Sequence, residues 1–204
     1  VVASSRDTRA LQEAFRDVSP DRIKIIPFDF TRIDELQDYA SEVVTLSAGI
    51  SGMLYAAGMQ KTLPLSQCKP SLTEELFRLN TFAAFELIRL FSKKNAYSSV
   101  GASFVLISSL AAHEGALGKA LYGASKGALE GFLPAAAAEL APKRIRLNAV
   151  TLGIIRTDMS GEFIQRMGEE QKTALLASYP LGLGEPEDAA AFIAYLISDK
   201  ARWL

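Results

Sequence analysis

Ser109, Tyr122 and Lys126 put a hydroxyl, a phenol and an amine into one short stretch of the chain. The stretch begins at Ser108, at the end of an apolar run, Phe104-Val105-Leu106-Ile107, that reads as a buried strand. It ends on the first turns of an Ala-rich helix. Tyr122 and Lys126 are four residues apart, so on a helix their side chains share one face about a turn apart. A phenol with its ordinary pKa of ~10 keeps its proton at neutral pH, and a neighbouring ammonium shifts it toward ionisation. The stretch therefore reads as proton-transfer machinery, held by a strand, a loop and a helix.

The rest of the sequence supplies those elements. The 204 residues, 49% of them apolar, are enough for one domain with a sizeable core. A formal net charge of -1 with dispersed basic residues argues against a nucleic-acid partner. The one cysteine, Cys68, can form no internal disulfide and reads as an inert thiol, and the one histidine, His113, lacks partners at ligand spacing, so no metal is expected. No apolar run reaches the ~20 residues of a membrane span, and the first residues do not have the pattern of a signal peptide. A cytoplasmic protein with no membrane partner is the expectation.

The periodicity alternates strand and helix. Strands are read at Val1–Ser5, Ile23–Phe28, Gly52–Ala56, Ala102–Ser108 and Ile145–Val150. Helices are read after Arg6 and Asp7, after a Thr31 cap, from a Ser71–Glu74 capping box to about Asn95, over 121–140, and from Gly184-Glu185-Pro186-Glu187-Asp188 to Ser198. Pro134 falls inside one helix, where it removes a hydrogen bond at a cost of ~3 kcal/mol unless the helix kinks. Residues 159–181 read as a mobile segment. Short apolar strands joined through helices predict an α/β, doubly wound parallel sheet in three layers.

Ser109 followed by Tyr122-Gly123-Ala124-Ser125-Lys126 resembles the Ser and Tyr-x-x-x-Lys signature of the short-chain dehydrogenase/reductase family, of the single-domain type. Further matches stand in order: Ala57-Gly58 after a strand, Asn80 in a long helix, Arg146-Leu147-Asn148-Ala149-Val150, Gly153 through Thr157, and the Gly184–Asp188 helix start. The resemblance covers nearly the whole chain and is closest to 3-oxoacyl-[acyl-carrier-protein] reductases. There are departures. Members open with a strand and a Gly-rich turn for the cofactor pyrophosphate, which do not precede Val1 here, and they continue past Leu204. The chain is accordingly read as one Rossmann-like domain, 1–204, truncated at both ends, whose strands at 1–5 and 52–56 lack a shared neighbour. Tyr55-Ala56-Ala57-Gly58 stands where members have Asn-Asn-Ala-Gly or Asn-Ala-Ala-Gly, and Leu152 replaces a proline.

The resemblance implies an oxidoreductase that interconverts a carbonyl and an alcohol by hydride transfer. It implies Tyr122 as acid/base, Lys126 as the cation that tunes it and holds the nicotinamide ribose, Ser109 on the substrate oxygen, and Asn80 positioning a water of the proton relay. Ser5 and Arg6, where an acid would select NAD, imply a 2′-phosphate and hence NADP ahead of NAD. Asp29 and Phe30 would border the adenine, Ala57 and Gly58 would offer backbone contacts, and Gly153, Ile155 and Thr157 would lie beside the carboxamide. The substrate would be a small or acyl-carrier-bound carbonyl compound under a lid at 159–181, and the assembly a homodimer or homotetramer. Two other readings stand beside this one: a non-catalytic oligomerisation or binding module, and, more weakly, an epimerase or dehydratase.

Overall fold

A computed structural model describes residues 1–204. The strands are β1 (Val2–Ala3), β2 (Lys24–Ile25), β3 (Gly52–Tyr55), β4 (Ala102–Ser109) and β5 (Ile145–Leu152), all pairing in parallel. β1 pairs with β2, and β3, β4 and β5 form a second sheet in that order, with Met53 opposite Phe104 and Leu106 opposite Ala149. As expected, β1 and β3 share no neighbouring strand, and the sheet is in two parts. β1 and β2 are also shorter than their apolar runs.

Helices cover both faces, which is why β4 is a nearly unbroken apolar run rather than an alternating one. Phe104 and Leu106 pack into a core with α2 (Leu36–Ser47), α4 (Ala83–Phe91) and α5 (Ala120–Leu140). Val105, on the opposite face, packs with Val150 and with Ile193 and Leu196 of α8 (Pro186–Ile197). The three layers of a doubly wound α/β fold result. No helix is long and apolar enough to cross a membrane.

Several local expectations are corrected. Thr31 caps no helix: its backbone and hydroxyl both donate to Asp29 Oδ1, at 2.9 and 2.8 Å, and a 3-10 turn at Ile33–Glu35 leads into α2. The Ser71–Glu74 capping box does not form, because α3 (Pro70–Phe77) starts one residue earlier with proline at its first position, and Glu74 pairs with Arg78 instead. A π-helical turn, Arg78–Phe82, separates α3 from α4, which stops at Phe91. Pro134 does not interrupt α5; it sits on the exposed side, where water can take up the carbonyl that its ring leaves unpaired. The stretch 159–181 holds most of α6 (Asp158–Gln165) and all of α7 (Glu169–Ala177), helices that the sequence does not predict there; α1 is Thr8–Ala14.

Candidate active site

The carboxyl end of β4 and the first three turns of α5 build the site. After Ser109 the chain makes a 3-10 turn, Leu110–Ala112, capped by Ser109 Oγ, which accepts the Ala111 N–H at 3.2 Å. α5 then crosses this turn at close range. A Cβ at Gly123 would lie 2.3 Å from the Ala111 carbonyl oxygen, so the glycine of Tyr122-Gly123-Ala124-Ser125-Lys126 is what lets helix and turn meet. Gly123→Ala is expected to destabilise the fold by about 1–3 kcal/mol through this clash and to separate Tyr122 from Ser109. Gly127→Ala, whose Cβ would meet only the Ala112 methyl at 3.9 Å, should instead stabilise by about 0.5–1 kcal/mol. Paired thermal melts check both signs.

Residues 122, 126 and 130 of α5 form one stripe over the end of β4. The Tyr122 phenol lies near the Ser109 hydroxyl, which acts to lower its pKa. Lys126 is buried, and its Nζ donates to the Ile107 carbonyl at 2.7 Å. Glu130 accepts from Ser108 Oγ at 2.5 Å and Thr151 Oγ1 at 2.9 Å, and pairs with His113 Nε2 at 2.6 Å. One carboxylate thus ties α5 to β4, to β5 and to the loop after Ser109. Burial works to raise its pKa, but those two hydroxyls and His113 outweigh it and hold Glu130 below the usual range.

The electrostatics depart from the expectation that Lys126 draws the phenol toward ionisation. Burial pushes the Tyr122 pKa up, with the Ser109 hydroxyl pulling weakly the other way. Lys126 Nζ lies 6.0 Å from the Tyr122 ring centroid and is turned to a carbonyl, and burial lowers its own pKa to about 8. The phenol is therefore held protonated.

Asn80 sits in the π-helical turn, fully buried. Both of its amide protons are committed, to the Met59 carbonyl and to Ser125 Oγ, each at 2.9 Å, while its Oδ1 accepts the Met59 N–H at 2.8 Å. It pins the loop after β3. Gly58 in that loop faces both Asn80 and Lys126: a Cβ there would stand 3.4 Å from Asn80 Oδ1 and 3.5 Å from Lys126 Nζ. Ala57 beside it packs on the core.

The other expected residues form two groups. At the ends of β1 and β2, Ser5 Oγ accepts the Asp7 N–H at 3.2 Å, and the exposed Arg6 guanidinium approaches Asp29 only to 3.9 Å. Burial opposes ionisation of Asp29, yet hydrogen bonds from Thr31 and the charges of Arg6 and Arg32 lower its pKa overall. Phe30 packs edge-on to Tyr39 and Tyr55, at 5.4 and 5.8 Å between centroids. After β5, Gly153 to Thr157 is fixed by a bridge between Ile155 and Gly184, by the Ile154 N–H donating to Tyr179 Oη at 3.1 Å, and by Thr157 capping α6.

Four contributors are given no role by the sequence: Lys119, Ser125, Glu130 and Tyr179. Glu130 carries a readable signal, a carboxylate one turn beyond Lys126 on the same helix face. Lys119 and Tyr179 carry none, since the Phe163 ring and the Ile154 N–H that they meet are distant in the chain.

A family model described as enoyl-(acyl carrier protein) reductase matches residues 1–204. The hydroxynaphthalene reductase of Aspergillus fumigatus is 30% identical over 213 residues, covering 98% of this chain and 76% of that protein. A 3-oxoacyl-[acyl-carrier-protein] reductase of Rickettsia felis is 30% identical over 169 residues, covering 82% and 68%. Among solved structures, a short-chain dehydrogenase/reductase from Brucella melitensis superposes with a TM-score of 0.88 at 30% identity, covering 100% of this chain and 80% of its own.

Proposed function

The chain belongs to the short-chain dehydrogenase/reductase family of oxidoreductases, and from that premise we propose that it interconverts a carbonyl and an alcohol with NADP as hydride partner and Tyr122 as acid/base. The observation that carries the reading is the convergence of the Ser109 hydroxyl, the Tyr122 phenol and the Lys126 ammonium at the end of β4.

The residues fit a nicotinamide nucleotide. Lys126 has one protein acceptor, Ile107, which leaves two of its three protons for ribose hydroxyls. Gly58, having no side chain, keeps open the space beside that ammonium. Ala57 and Gly58 would border the ribose, Gly153, Ile155 and Thr157 the carboxamide, Asp29 and Phe30 the adenine, and Ser5 and Arg6 the 2′-phosphate. When bound, the nicotinamide supplies the hydride in reduction and accepts it in oxidation.

The chain's own side chains manage the proton. A phenol whose pKa is raised stays protonated at neutral pH, the form that reduction requires, and the oxygen gaining charge as the carbonyl is reduced is basic enough to take its proton. Ser109 would hydrogen-bond the same oxygen and fix its position. Lys126 sets positive charge beneath the phenol and stabilises the phenolate left by transfer. Asn80 acts as a positioning residue, because its amide protons are spent on Met59 and Ser125. The substrate would be a small or acyl-carrier-bound carbonyl compound, handled by a single domain, 1–204, in a cytoplasmic homodimer or homotetramer.

Titration of NADPH and NADH, followed by nicotinamide fluorescence, tests the nucleotide reading. Tighter binding of NADPH is expected, and no binding of either would favour the non-catalytic module. Arg6 is free to meet a phosphate, its side chain 69% exposed and its only carboxylate neighbour at 3.9 Å. Arg6→Ala should weaken NADPH binding about tenfold and leave NADH nearly unchanged. Equal effects on both nucleotides would overturn the role of Arg6.

A further inference from the structure

Lys119 is the residue before α5 and is buried, with only 7% of its surface exposed. No carboxylate lies within ion-pairing distance of it, and its ammonium donates no hydrogen bond within the chain. It is set between two rings instead: Nζ stands 3.9 Å from the Phe163 centroid, on α6, and 5.8 Å from the Tyr122 centroid. Lys126 Nζ lies 6.0 Å from that same Tyr122 ring. Two ammonium groups therefore lie about 6 Å from the centre of the Tyr122 ring. Lys126 is anchored on a strand carbonyl; Lys119 faces the α6 side without an acceptor.

Burying a charge without a counter-ion is costly, and the lowering of the Lys119 pKa to about 8 by burial reflects that cost. Cation–π contacts recover only part of it. A compact anion placed beside Nζ would recover more, and the positive end of the 21-residue helix that starts at the next residue favours the same sign of charge. Nζ stands 5.8 Å from the ring centroid of the acid/base residue, so an anion beside it is near enough to belong to the same small substrate whose carbonyl meets the phenol.

We infer that Lys119 recognises a carboxylate on the substrate, so that the carbonyl compound taken by this site is an oxo acid, with Phe163 of α6 closing over the ion pair. This rests on the reduction proposed above. It makes Lys119 a selectivity-determining residue and gives α6 a chemical reason to sit where it does.

The test pairs short 2-oxo and 3-oxo acids with their methyl esters as substrates, for the wild type, Lys119→Met and Lys119→Arg. The wild type should prefer the acid by about tenfold or more in kcat/KM, the scale of one charge-assisted hydrogen bond. Lys119→Met should lose that preference through the acid alone, and Lys119→Arg should retain it. If acid and ester fall together, Lys119 only braces α6 and the inference is wrong; it is equally wrong if the wild type does not discriminate. If neither acid nor ester is reduced, the oxidoreductase reading fails for these compounds and binding decides separately: thermal stabilisation by the acids, lost in Lys119→Met, upholds carboxylate recognition. No stabilisation of the wild type rejects it.

Discussion

Tyr122→Phe is expected to lower carbonyl reduction by about two to four orders of magnitude, the usual worth of a positioned general acid, while NADPH binding stays within about twofold of wild type. The substitution is clean because the phenol oxygen makes no side-chain hydrogen bond that holds the fold together, and the one side chain acting on its pKa is the Ser109 hydroxyl. That hydroxyl keeps its other role, capping the Ala111 N–H, when the phenol is gone. The ring itself should stay, with both amines near it. Melting temperature should therefore change little, and the loss should be in kcat rather than in the nucleotide's dissociation constant. Steady-state kinetics with a nucleotide titration on the same sample separates the two. Turnover within tenfold of wild type would sink the assignment of Tyr122 as proton donor.

The sequence showed the reacting groups more clearly than the geometry that makes them useful. The spacing of Tyr122 and Lys126 placed them on one helix face, as observed. It did not reveal that Lys126 would turn to the Ile107 carbonyl, or that burial would raise the phenol's pKa. Both depend on the depth of α5 against β4, which is set by the contact of Gly123 with Ala111, a feature of tertiary packing. Asn80 is a similar case. Its position in a long apolar-faced helix was legible, but the π-helical turn that aims its amide at Met59 and Ser125 has no reliable local signature.

Elements with strong local rules were read correctly and those with competing rules were not. The run Phe104–Ile107 is buried on both faces and could be little else than a central strand. By contrast, Ser71 and Glu74 have capping-box spacing, yet Pro70 pre-sets the helical φ and starts α3 earlier. Thr31 offers a cap that Asp29 takes for itself. In 159–181 the start signals were present: Thr157 and Ser160 form a reciprocal cap, and Glu169 and Glu170 begin α7. Sparse apolar residues there obscured helices that matter, since Phe163 reaches Lys119 and Tyr179 holds Ile154.

Lys126→Met should separate activity from stability. Removing the cation is expected to reduce turnover by about two orders of magnitude or more, because it takes from the phenolate formed on proton transfer one of the two positive charges near its ring. The fold should gain. Burial lowers the Lys126 pKa from 10.5 to about 8, so at neutral pH the native state carries a charged group that it disfavours. That lowering corresponds to at most about 3 kcal/mol, and the hydrogen bond lost to Ile107 takes back about 1. A net gain of about 1–2 kcal/mol is expected at pH 7. Between about pH 8 and 10.5 the unfolded chain binds the extra proton, so wild-type stability rises with pH across that window, and below it the penalty is present in full. Lys119, lowered to about 8 for the same reason, contributes an equal slope that Lys126→Met leaves in place. Denaturant melts at pH 7 and pH 9.5 should show the variant ahead of wild type at the lower pH and the gap narrowing at the higher. A variant less stable than wild type at pH 7 would mean that the ammonium is not the burden its burial implies. A site that retains a destabilising lysine because the chemistry needs it accounts for both halves of the result.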